Sequence, residues 1–250
     1  MKALPQSRPP ARGPSLLPML AVWGLCAACA AGCRARPDAG PETAPATLPR
    51  TDTARTYLGR AIAPPMPHAG AEWFERPDRA ATEFPDRVLD ALDLHDTMRV
   101  ADVGAASGYF TFRLAPRLRR GTVYAIDIDP AMQALLERCR DSLRLGNVRT
   151  VLGSVQDPGL DSASVDVALI VDSYHEFSHP QAMGRALVRA LRPGGRLVLV
   201  EYRAEDPTVT VDPAHKMTEA QMRAEMAALG LRLVGRHDVL PQQHLLVFGR

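Results

Sequence analysis

The chain has 250 residues, with 30 Lys and Arg against 28 Asp and Glu, for a formal charge of +2 near neutrality. That balance gives no electrostatic case for nucleic acid, which needs a concentrated basic face. Of four cysteines, three lie within the first 33 residues, so Cys139 stands alone in the rest and no disulfide can form within the globular part.

The N-terminus reads as an export signal. Lys2, Arg8 and Arg12 precede an apolar stretch from Leu16 to Ala31. At about sixteen residues it is short for a bilayer span, which needs roughly twenty. The small residues Ala30-Ala-Gly before Cys33 resemble a bacterial lipoprotein signal, which implies that residues 1–32 are removed, Cys33 is lipidated, and the protein is anchored facing the periplasm. Removing three of the 30 basic residues and none of the 28 acidic ones leaves a net charge of −1. The alternatives are an uncleaved anchor, or translation from a downstream start such as Met66, which would keep the protein cytoplasmic. Cys26, Cys29 and Cys33 have spacing that suits zinc but no histidine partner, so no metal site is read there.

Residues 33–70 are rich in Pro and Ala, with seven prolines, and read as a semi-extended linker. Residues 71–250 have the length of one ordinary domain and can bury a core. No internal repeat is present. The domain opens with Glu72-Trp-Phe-Glu-Arg-Pro-Asp78, two aromatics among charges. This segment is either a lid over a ligand or an aromatic clamp docking the N-terminus onto the core.

Strand-like and helix-like runs then alternate, the pattern of a parallel sheet covered on both faces. Strands are expected at 99–103, 122–127, 148–152, 165–171, 196–202, 231–238 and 244–248. Met132, Leu135, Leu136, Cys139 and Leu143 make one apolar helical face, and Ala182, Met183, Ala186, Leu187, Ala190 and Leu191 another. Asp129 with Pro130, and Thr218 with Gln221, read as helix starts. The last two strands are too close in sequence for a crossover, so they pair antiparallel or lie apart. The expected fold is α/β, a Rossmann-like seven-stranded, mostly parallel sheet.

The most informative run is Arg99-Val-Ala-Asp-Val-Gly-Ala-Ala-Ser-Gly-Tyr-Phe110, followed by Asp127 at the end of the second strand. A strand, a small-residue turn opening a helix, and a strand ending in a carboxylate are how such a sheet holds an adenine nucleoside. A dinucleotide fingerprint would place glycines where this chain has Gly104, Ala106 and Tyr109. The tyrosine at the third position argues against a nicotinamide-dependent oxidoreductase. Gly104 and Gly108 still leave the turn free of bulk against a ligand without phosphate.

These residues resemble class I S-adenosylmethionine (SAM)-dependent methyltransferases, as does Leu191-Arg-Pro-Gly-Gly-Arg-Leu-Val-Leu-Val-Glu-Tyr202 before strand five. The chain from about residue 71 also resembles a bacterial subfamily with similar Trp-Phe-Glu-Arg-Pro and Tyr-His-Glu-Phe segments, whose acceptors are mostly unassigned. The resemblance implies an antiparallel last strand and SAM as cofactor. By it, Asp102, Gly104, Ala106 and Gly108 border the methionine part, Asp127 accepts from the ribose hydroxyls, and Ile128 lies on the adenine. Ala106 departs from the glycine more usual there. In Gly153-Ser-Val-Gln-Asp157, any of Ser154, Val155 or Asp157 can meet the adenine amino group.

An open α/β sheet binds beyond the carboxyl ends of its strands. Asp172-Ser-Tyr-His-Glu-Phe177, after strand four, is the expected place for substrate-facing groups: His175 as a general base if the acceptor must lose a proton, with Asp172 and Glu176 beside it. Asp172 is also a candidate for cofactor contact. Glu201 and Tyr202 leave strand five on the same edge, and His215 in a later loop is a weaker candidate. The expected activity is methyl transfer to a small acceptor by a monomer. The alternative is a methyltransferase fold, exported and no longer catalytic.

Overall fold

Along each central strand, alternate residues belong to two separate apolar layers. Val100, Val123, Val167, Leu169, Val198, Val200 and Val247 pack into one, and Ala101, Val103, Ile126, Ala168, Ile170, Leu199 and Leu246 into the other. A strand with both faces apolar must be covered twice, and the parallel connections supply the helices that do so. Each fully buried aliphatic side chain contributes on the order of 1.5–3 kcal/mol of transfer free energy.

The computed structural model describes residues 56–66 and 71–250. Its elements run β1 (Thr56–Tyr57), β2 (Arg60–Ala61), α1 (Ala71–Phe74), α2 (Arg79–Glu83), α3 (Pro85–Ala91), β3 (Arg99–Val103), α4 (Thr111–Leu114), β4 (Thr122–Asp127), α5 (Pro130–Ser142), β5 (Val148–Leu152), β6 (Val165–Val171), α6 (Pro180–Ala190), β7 (Leu191–Arg203), β8 (Lys216–Met217), α7 (Glu219–Ala227), β9 (Arg232–Arg236) and β10 (Gln243–Gly249). Short 3-10 turns at Tyr174–Glu176 and Pro213–His215 carry site residues.

The main sheet has the order β5-β4-β3-β6-β7-β10-β9. The pairings from β5 to β7 are parallel and β10 is antiparallel to both its neighbours, as expected. The two-residue β8 adds an eighth strand, parallel to the end of β7. Residues of α3, α4 and α5 join one layer through Val88, Leu89, Leu114 and Leu136; α6 and α7 join the other through Met183, Leu187, Met222 and Met226. Asp129 and Thr218 cap their helices as expected, accepting from the N–H groups of Ala131 and Gln221; such a cap stabilises by about 1 kcal/mol.

Two expectations are corrected. Strand five was placed from Arg196, yet β7 begins at Leu191, which pairs with Val165 before a bulge, and the ladder resumes where Val167 meets Arg196. The Arg-Pro-Gly-Gly turn is thus an interruption inside the strand, with Gly194 at φ +78. The second concerns the Pro/Ala-rich linker. Residues 56–61 of that segment form a hairpin, and Arg60 donates to both carboxylate oxygens of Glu225 on α7 at 2.7 and 3.1 Å, and to the His175 carbonyl at 2.9 Å. Composition cannot reveal this, because the fixing contacts join residues 115 to 165 positions apart in the chain. The proposed signal, Cys33 and the rest of the linker to residue 55 lie outside the described residues, as do 67–70. Among the described residues no helix is long and apolar enough to cross a membrane.

Candidate active site

The turn after β3 packs closely against the segment that follows β6. Gly104 has φ +77, and a Cβ there would sit 2.6 Å from the Ser173 hydroxyl, so nothing larger than hydrogen fits. Its N–H and that of Ala105 both donate to the Ile126 carbonyl at 2.9 Å, which fastens the turn to β4. Ala106 sits at φ +47, a left-handed conformation that costs a non-glycine residue about 1–2 kcal/mol. The compensation is visible: the Ala106 N–H donates to the Asp127 carboxylate at 2.9 Å.

Asp127 closes β4. Its other oxygen accepts from the Asp129 N–H at 2.9 Å, so the carboxylate is fixed in orientation by two backbone donors from opposite sides while keeping free lone pairs for hydroxyls. Burial raises its pKa, and the Asp129 and Ala106 N–H groups partly counter this. Beside it Ile128 is 46 % exposed and, beyond β5, Val155 is 43 % exposed. Two bare aliphatic side chains past the ends of paired strands suit the faces of a flat apolar ring. Ser154 and Asp157 close a turn on each other: the Ser154 hydroxyl accepts from the Gln156 and Asp157 N–H groups, and Asp157 accepts from Gly159 and Arg189. Of the three residues left open there, Val155 is the one whose side chain is uncommitted.

Asp102 lies beneath the turn, 3 % exposed, accepting from the Thr111 hydroxyl at 2.6 Å. Burial lifts its pKa to about 6 against the Thr111 hydrogen bond and the Arg79 charge. The segment that carried two readings leaves Trp73 53 % exposed, and Arg79 follows directly on it. Its guanidinium lies 4.0 Å from the centre of the Tyr109 ring, Arg113 lies 3.6 Å from the same ring, and Glu83 accepts from Arg79, Arg76 and the Tyr202 hydroxyl. Tyr109, which replaces the third glycine of a dinucleotide motif, is therefore the seat of a cation–π contact. Glu75, inside the Glu72–Asp78 segment, accepts from Ser107 of the turn at 2.6 Å, which ties that segment to the glycine loop.

Past β6 the predicted polar group divides. Asp172, at φ +47, accepts from the Gln243 amide at 2.6 Å, and its other oxygen is buried with no partner among the described residues. Burial, with Glu83 and Glu201 nearby, pushes its pKa well up. It faces β10 and the interior rather than open solvent. His175 is also buried, 2 % exposed. Its Nδ1 is 2.6 Å from Glu201 Oε2, and its Nε2 is 2.9 Å from His215 Nδ1. Burial alone would lower the His175 pKa; the Glu201 carboxylate outweighs it and the net shift is upward. Glu201, fully buried on β7, also accepts from the Tyr174 N–H at 2.9 Å. Glu176 Oε1 lies 3.9 Å from His175 and 3.7 Å from His215, and its burial raises its pKa to about 6. His215 is lowered, first by burial and then by the charge of His175. The structure thus brings His175, Glu176, Glu201 and His215 into one cluster and leaves Asp172 apart from it. His215, ranked low in the sequence, is the more exposed of the two imidazoles.

Residues 101–199 match the family model described as a methyltransferase domain. An uncharacterised methyltransferase of Mycobacterium tuberculosis is 34 % identical over 125 residues, 49 % of this chain and 47 % of that protein. A phthiotriol/phenolphthiotriol dimycocerosates methyltransferase of the same species is 26 % identical over 197 residues, 75 % and 70 % of the two chains. The chain spans about half the length of the first of these. Among solved structures, a SAM-dependent methyltransferase from Aquifex aeolicus superposes with a TM-score of 0.69 at 22 % identity, covering 74 % of this chain and 98 % of that one. Residues 101–199 are thus similar to a methyltransferase domain, and the fold is one that a SAM-dependent methyltransferase also has.

Proposed function

We propose that this chain transfers the methyl group of SAM to a small acceptor that lies beside His175, Glu176 and His215. The observation that carries the reading is Asp127: a carboxylate held by two backbone donors at the end of β4, next to a turn that admits no Cβ at Gly104 and to the exposed side chains of Ile128 and Val155. A ribose, a chain with no phosphate and a flat base fit those three features in order.

When bound, SAM supplies a methyl group on a positively charged sulfur, already activated for displacement in line with an acceptor lone pair. The protein then has to hold, align and exclude water. Gly104, Ala106 and Gly108 border the methionine part, with the Asp102 carboxylate below to balance a cationic tail. Val155 and Ile128 cover the base. The acceptor side is the polar cluster after β6 and β7, where His215 and Glu176 are placed to take a proton from an acceptor that must lose one, and Glu201 orients His175 behind them.

We also propose that the chain acts as a monomer, exported and held by a lipid on Cys33, with no nucleic-acid partner.

The test of the cofactor reading is calorimetric titration of SAM into the wild-type chain and into Asp127→Ala. Micromolar binding lost at least tenfold in the variant is expected, since two hydroxyl contacts to a charged acceptor contribute about 1.5–3 kcal/mol each. Equal affinity in both proteins would remove Asp127 from the site and the reading with it.

A further inference from the structure

We infer that His175, Glu176 and His215 form a binding site for a divalent transition metal, with zinc the first candidate. Their donor atoms all lie within 4.8 Å of one another. The triangle they make has edges of 2.9, 3.7 and 3.9 Å. Ligands about 2.0–2.1 Å from a tetrahedral ion stand about 3.4 Å apart, within that spread. The ion asks only that the two imidazole nitrogens part by roughly half an ångström. His215 sits in a three-residue turn at the surface, which can supply that movement.

Two independent features point to a cation. The first is the hydrogen bond behind His175. Glu201, 0 % exposed, holds Nδ1 at 2.6 Å, so Nδ1 carries the proton and Nε2 presents its lone pair toward His215 and Glu176. A carboxylate behind a histidine, fixing tautomer and ring angle, is the arrangement that supports metal-ligating imidazoles. The second is charge. Glu176 and Glu201 lie close together in a half-buried to buried setting, and among the described residues neither has a Lys or Arg ion-pair partner; their only ion-pair contacts are to the two histidines. Arg60, which reaches the His175 carbonyl, spends its charge on Glu225. A divalent ion on the imidazoles would supply the positive charge beside these carboxylates that no Lys or Arg among the described residues supplies.

Two imidazoles and one carboxylate select zinc, iron(II) or a similar ion over magnesium or calcium, which prefer all-oxygen sets. Three protein ligands leave a position open for water or an acceptor oxygen. Only that last role, as an anchor for the acceptor, rests on the methyltransferase reading; the site itself does not.

The test uses the full chain, free of any histidine tag, stripped with a chelator, passed through gel filtration and then titrated with cobalt(II) and zinc(II). The expected result is about one retained ion per chain, with visible cobalt absorption free of thiolate charge-transfer bands. His215→Ala and Glu176→Gln should lose retention by a hundredfold or more. Glu201→Gln should weaken it about ten- to a hundredfold through the ligand behind which it stands. His244→Ala, whose imidazole meets Glu205 instead, should match the wild type. No retained ion in a chain with native circular dichroism, or retention unchanged in His215→Ala, would overturn the inference; so would cobalt spectra dominated by thiolate, which would place the ion on Cys26, Cys29 or Cys33. SAM titration of the same samples separates the two proposals. Metal retained without SAM binding defeats only the cofactor reading, and SAM bound without metal defeats only the site.

Discussion

Asp102 shows how a single buried group gives the site a pH dependence of calculable sign. Its pKa of about 6 lies above the unfolded value near 3.9, so the native state holds the proton more tightly than the unfolded chain does. The contribution to apo-protein stability therefore falls as pH rises between about 4 and 6, by up to about 1.4 kcal/mol per unit. Cofactor binding runs the other way, because a cationic tail favours the ionised form. The groups facing Asp102 are the Thr111 hydroxyl on α4, Arg79 on α2 and Asp127 on β4. SAM affinity of the wild type is expected to weaken as pH is lowered from 7 to 5, by up to tenfold per unit below about 6, while Asp102→Asn is weaker at pH 7 and loses that part of the slope. Calorimetry at four pH values checks it; parallel slopes in the two proteins would deny Asp102 a role. Residues of this kind were legible in the sequence, since Asp102, Gly104, Gly108 and Asp127 follow one another in a spacing that a strand-turn-helix unit imposes. His215 and Glu201 were seen only as edge residues, because their meaning depends on His175 across 40 and 26 positions of chain.

At the scale of elements, the strands were readable because the central ones carry near-continuous apolar runs and the outer ones alternate apolar with polar residues, and the seven expected strands stand in the sheet. The hairpin of β1 and β2 was not, since two-residue strands carry no period and the segment's prolines speak for a linker. It is held to α7 by a buried ion pair, Arg60 to a fully buried Glu225, and by the Gln221 amide, which donates to the Tyr57 and Leu58 carbonyls at 3.4 and 3.3 Å. Removing one partner of such a pair strands a charge, so Arg60→Ala is expected to cost about 3 kcal/mol in urea unfolding. An unchanged midpoint would mean that Gln221, which donates to Glu225 at 2.8 Å, suffices. The same contact bears on the start site, for a chain begun at Met66 would lack the hairpin.

For the whole molecule, the export proposal predicts that the wild type partitions with membranes in a bacterial host and takes up labelled fatty acid, and that Cys33→Ala abolishes both. Labelling that persists in the variant would reject lipidation at that cysteine. By itself the sequence determined the sheet, its strand boundaries to within a few residues and the turn that sets Ala106 against Asp127, because those features are local in the chain: periodicity of two, a glycine turn and a carboxylate one strand later. Tertiary structure decided which polar groups meet beyond the sheet. It turned Asp172 inward to Gln243, tied Glu75 to Ser107 and Arg76 to Glu83, and set His175, Glu176 and His215 around one point. The sheet order places the ends of β6 and β7 side by side, and no spacing in the sequence records which side chains meet there.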